Sequence, residues 1–119
     1  MDSIAIAAVA LIAHGVMHVA WRSALASPFW LRDRQRRRSS PTAPRGAISN
    51  LALVAGVLFV LAGVGALAHS TWWVGAAYLA ATASLAGGAL QWPRNPTGLI
   101  VNLAIATTLT LGVSMGWWV

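Results

Sequence analysis

The sequence contains no cysteine, no lysine and no glutamate, and its only carboxylates are Asp2 and Asp33. Each absence removes a chemistry. Without cysteine there is no disulfide, no thiolate metal site and no thiol nucleophile. With only these two carboxylates, the paired-carboxylate acid/base designs of hydrolases are not expected. The chain is therefore expected not to be an enzyme. Charge of any kind is scarce: 8% of residues carry one, against about a quarter in soluble domains. Disorder is excluded as well, because 58% of the chain is apolar and disorder requires low hydrophobicity.

What the sequence does have is long apolar runs, at about residues 4–21, 48–68, 72–91 and 98–118. A bilayer core about 30 Å thick takes roughly 20 apolar residues in helical form to cross. No Arg, Lys, Asp or Glu interrupts the interior of any run. The short alternating segments of a transmembrane barrel are missing. The expected fold is an all-α integral membrane protein, with residues 1–119 forming a single transmembrane domain built as a compact antiparallel four-helix bundle. Ala24-Leu25-Ala26 before Ser27 looks like a small-residue cleavage site. A signal peptide carries its basic residues before the apolar run, however, and here they follow it, so the first run is expected to stay in place.

Arginine sets the expected orientation. Of the eight arginines, seven fall in residues 22–47 and the eighth, Arg94, lies between the third and fourth runs. Positive charge near helix ends is retained on the cytoplasmic side. The Arg-rich loop 22–47 is then cytoplasmic, and both termini lie on the non-cytoplasmic side. The seven tryptophans fall near run boundaries, as interfacial aromatic rings do. Within the loop, Trp30 and Arg32, Arg34, Arg36, Arg37 and Arg38 suit contact with anionic lipid headgroups. A few arginines pressed against a membrane do not form a nucleic-acid groove, so no nucleic-acid partner is expected. Heavy use of Ala, Gly and Arg suggests a bacterial source and hence the cytoplasmic (inner) membrane.

Helices in lipid associate by close backbone approach, so small residues mark contact faces. Ala76, Ala80, Ser84 and Gly88 form one such stripe, and Ala104, Thr108, Gly112 and Gly116 form a second. In the second run Ala52, Gly56 and Gly63 share a face.

Polar side chains at membrane depth are costly and therefore candidates for function. His14 and His18, spaced i and i+4, project from one face of the first helix. Asn50, Ser84, Gln91 and Asn102 fall at a similar depth in the other helices, giving an expected intramembrane polar cluster or pathway. Three readings of the histidines stand side by side. They are structural imidazoles bonded to neighbouring helices, or proton-exchanging groups on a pathway, or metal ligands aided by Met17. No cofactor is expected, a metal ion or haem being the minor alternative. A haem held between His14 and His69 is disfavoured by their different depths. The functional expectation is a small accessory or assembly subunit of a membrane complex, or a homo-oligomer, whose partners are lipids and other membrane subunits or itself. The alternative is a small transporter or channel using the His14/His18 site.

Overall fold

The computed structural model describes residues 2–25, 45–92 and 96–118. Trp30 and the arginine cluster Arg32 to Arg38 lie outside the described residues, as does Arg94. Four helices follow one another: α1 (Ser3–Leu25), α2 (Arg45–Leu67), α3 (Trp73–Leu90) and α4 (Pro96–Ser114). Each is long and apolar enough to cross a membrane. With 23 residues apiece, α1 and α2 extend about 35 Å at 1.5 Å per residue, a little more than the hydrocarbon core. Their ends therefore take in Arg22 and Arg45, residues the sequence pattern assigns to the connecting loop.

Successive helices pack side by side and run in opposite directions. Along α1 the contacts advance from Ala8 to Val19 while those in α2 fall back from Gly63 to Gly56. Between α3 and α4 the pairs are Trp73 with Trp118, Tyr78 with Thr110 and Gly88 with Leu99. The ring of helices closes where Ser3 Oγ at the start of α1 donates to the Trp117 carbonyl, at 3.3 Å. Both ends of the described chain thus meet at one end of the bundle.

Small residues decide how close the helices come. The α1/α2 crossing is made by two glycines face to face. A β-carbon on Gly15 would stand 2.6 Å from the Gly56 carbonyl oxygen, and one on Gly56 would stand 2.9 Å from the Gly15 oxygen. Helix α3 is the most enclosed, burying Ala77, Ala80, Ala81, Ser84, Gly87 and Gly88. In α4 the inward face carries Asn102, Leu109 and Gly112, whereas Ala104, Thr108 and Gly116 of the expected stripe are exposed. The reason is rotational. Four residues turn an α-helix by about 400°, so a four-residue stripe drifts by about 40° per step and winds off the contact face. The α4 threonines that face outwards hide their hydroxyls by donating to backbone carbonyls one turn earlier, Thr107 to Leu103 and Thr108 to Ala104.

Two helix ends at the same end of the bundle share one closure. At the end of α2, Ser70 N–H donates to Gly65 O and His69 N–H to Ala66 O. At the end of α4, Trp117 N–H donates to Gly112 O and Gly116 N–H to Val113 O. Both are Schellman motifs, in which the pivotal residue is left-handed. Gly116 takes that role with φ +69° and His69 with φ +50°. The sequence pattern extends the last helix to 118. Instead the Gly116 turn folds Trp118 back, so that its indole lies on Gly112 where a side chain would stand. Trp118 meets Trp73 edge-on at 5.8 Å between ring centroids. Trp73, expected at the headgroup boundary, is 3% exposed and belongs to the core of the bundle.

His69→Gly is expected to stabilise the fold by about 1 kcal/mol, because the left-handed backbone costs a non-glycine residue roughly that much. The check is the thermal unfolding midpoint in detergent. An unchanged or lower midpoint for the variant excludes strain at this turn.

Candidate functional site

Helical spacing brings His14 and His18 one above the other on α1, facing α3 and α4 in the half of the bundle away from the paired Schellman ends. His14 stands 11 residues beyond Ser3, about 17 Å along the helix axis. Its Nε2 lies 3.0 Å from Asn102 Oδ1 of α4 and 3.2 Å from His18 Nε2. His18 Nε2 in turn lies 2.9 Å from Ser84 Oγ of α3. Four polar atoms from three helices thus form one chain, in the order Asn102, His14, His18, Ser84. Ser84 and Asn102 are 3% and 4% exposed, and they are the buried polar residues of the described structure.

One set of tautomers satisfies all three contacts. An amide oxygen only accepts, so with Asn102 Oδ1 facing it His14 carries its proton on Nε2. That one N–H lies between two acceptors, Asn102 Oδ1 and His18 Nε2, as a three-centre bond. His18 then presents a lone pair at Nε2, takes a second bond from the Ser84 hydroxyl, and keeps its own proton on Nδ1. Each of these four atoms has a partner, which is what low-dielectric surroundings demand of buried polar groups.

Phe59 of α2 completes the site. It is fully buried, meets the His14 ring edge-on at 4.9 Å and stacks on His18 at 5.9 Å with 17° between ring planes. The two imidazoles are themselves edge-on, 4.8 Å apart. α2 therefore provides an aromatic wall, α1 the imidazoles, and α3 and α4 the polar anchors.

Of the six residues expected to cluster, the structure joins His14, His18, Ser84 and Asn102. Asn50 is exposed, and Gln91 Nε2 donates to the Gly87 carbonyl of its own helix at 3.2 Å. Met17, 65% exposed, lies outside the hydrogen-bonded chain. His69 is exposed in the turn at the opposite end. Phe59 is the residue that sequence reasoning misses. The available signal was its position three residues after Gly56 and four before Gly63, on the small-residue face of α2. Among the described residues no three of His, Cys, Asp or Glu gather closely enough to hold a metal ion, so a metal here would need neutral oxygen donors.

The chain matches no family model, no curated protein and no solved structure.

Proposed function

We propose that this chain is a non-enzymatic membrane protein that serves as an accessory or assembly subunit of a membrane complex, or as a homo-oligomer. In this reading it threads the bacterial cytoplasmic membrane four times. The Arg-rich loop 22–47 faces the cytoplasm and touches anionic headgroups, and both termini face outwards. The observation that carries the reading is the closure of the polar cluster on itself. Asn102, His14, His18 and Ser84 bond to one another and tie α1, α3 and α4 together. A cluster of this kind specifies helix packing. The apolar outer faces, with Ile6 and Val9 of α1 and Ile100 and Leu103 of α4 about half exposed or more, then remain for lipid and for partner helices.

Native mass spectrometry on the chain, gently released from its own host, tests this. Foreign subunits or multiple copies in the particle are expected. A bare monomer overturns the proposal.

A second reading rests on the facing Nε2 atoms of His14 and His18, 3.2 Å apart. Such a pair can pass a proton, which suits a small transporter or channel. The His14→Ala/His18→Ala double substitution separates the two. Loss of accumulation in the membrane is expected from a packing role. Normal accumulation with loss of a pH-dependent flux favours the pathway.

A further inference from the structure

We propose that the same cluster is a binding site for one transition-metal ion of the copper and zinc class, held by the Nε2 atoms of His14 and His18 with Asn102 Oδ1 and Ser84 Oγ as oxygen donors. The first argument is which atoms face each other. The i and i+4 rings turn the same nitrogen inwards, Nε2 to Nε2 at 3.2 Å. Two nitrogen ligands about 2.0–2.1 Å from a tetrahedral metal stand about 3.3 Å apart, so the two nitrogens are already spaced as a ligand edge and the rings need only tilt toward a common point. The two flanking edges, 3.0 Å to Asn102 Oδ1 and 2.9 Å to Ser84 Oγ, are within a few tenths of the same length. Imidazole nitrogen is a preferred donor for zinc and copper.

The second argument is that the site converts from its closed form without gaining or losing a proton. His18 already offers its Nε2 lone pair. His14 offers one when its proton moves from Nε2 to Nδ1, and Ser84 does so when its hydroxyl hydrogen turns away. Four lone pairs are then available, both imidazoles stay neutral, and the ion keeps its full charge. The only described carboxylate, Asp2, lies at the start of the chain and is exposed. A neutral shell leaves an uncompensated charge at membrane depth, and that cost is smallest for a singly charged ion, so Cu⁺ belongs among the probes beside Zn²⁺. The third argument is rigidity. Phe59 packs against both rings, and the donors sit on three helices rather than on loops, which holds ligand geometry. Met17, the soft ligand nearest in sequence, faces outwards and takes no part. The proposal does not depend on whether the chain works alone or with a partner.

The test uses the full chain in lipid nanodiscs, incubated with Zn²⁺, or with Cu⁺ under reductant, and then desalted. The expected result is one equivalent of Zn²⁺ or Cu⁺ retained per chain, lost in His14→Ala and in His18→Ala, and kept in His69→Ala. Ring ¹⁵N spectra of the unmodified protein supply a readout that no folding defect can imitate. On metal addition the His14 proton signal is expected to pass from Nε2 to Nδ1. Failure of the unmodified chain to retain either ion overturns the site, as does retention unchanged in both cluster variants or an unaltered His14 ring.

Discussion

Replacing Phe59 by alanine is expected to lower the stability of the bundle by about 3 kcal/mol, at the lower edge of the range for deleting a buried phenylalanine ring. In lipid, helices gain nothing from removing apolar surface from water, so the loss comes from dispersion contacts and from the void left behind. Phe59 is the largest fully buried side chain of the described structure, and its neighbours on α1 are imidazoles whose orientation is set by hydrogen bonds. They cannot swing in to fill the space without breaking the bonds to Asn102 and Ser84. Reversible unfolding in mixed detergent micelles provides the measurement, with Leu79→Ala as the control, since Leu79 is 64% exposed. Equal losses in the two variants contradict the view that Phe59 is the aromatic wall of the site.

The second large effect belongs to Gly15. Alanine at an open helical glycine stabilises a helix by about 1 kcal/mol, and Gly46 and Gly75, with nothing within 4 Å of an added β-carbon, should behave in that way. At Gly15 the added carbon meets the Gly56 carbonyl at 2.6 Å and the Val60 backbone nitrogen at 2.9 Å. Those are backbone atoms, which cannot rotate aside, so α1 and α2 must separate. A loss of about 1–3 kcal/mol is expected, opposite in sign to the controls, and Gly15→Val should exceed it. The consequence extends to the polar cluster, because a β-carbon on the facing Gly56 would already lie 3.1 Å from the His18 Cβ. Separation at this crossing lifts His18 away from Ser84. Should Gly15→Ala stabilise the protein as Gly75→Ala does, the close crossing is refuted.

The four spans could be read directly from the sequence, because length and absence of charge are sufficient to recognise them. The i and i+4 histidines were equally legible, and Ser84 and Asn102 fell within the set of polar residues at matching depth. Asn50 and Gln91 belonged to that set too, and only rotation about the helix axis separates them from the cluster. In a soluble helix an apolar stripe reveals that rotation. Here both faces are apolar, so the apolar pattern carries no phase; only the small residues Gly56 and Gly63 mark the face of Phe59, and no such stripe singles out Gly15. The α4 stripe departs from the contact face for the same reason: four-residue spacing is not a straight line on a surface that turns. Trp73 shows the limit of compositional rules, since a tryptophan at a run boundary suits the headgroup layer, yet the Gly116 turn brings Trp118 back to cover it.

The hydrogen bonds of the cluster also bear on the order in which the bundle assembles. His14 and Asn102 are 88 residues apart in the chain, and His18 and Ser84 are 66 apart, whereas α2 and α3 are joined by a link of five residues. Loop-closure entropy rises with the length of chain enclosed, and α3 and α4 are joined by a five-residue link as well, so the α2–α3 and α3–α4 hairpins cost least to close and the polar chain costs most. The cluster can close only after the last helix has entered and α1 has swung in beside α2. Until α1 docks, Ser84 stands apart from the histidines, and until α4 enters Asn102 does, in a medium that penalises unpaired polar groups. The completed bundle is thereby distinguished from every three-helix intermediate, and the membrane itself supplies the pressure to finish.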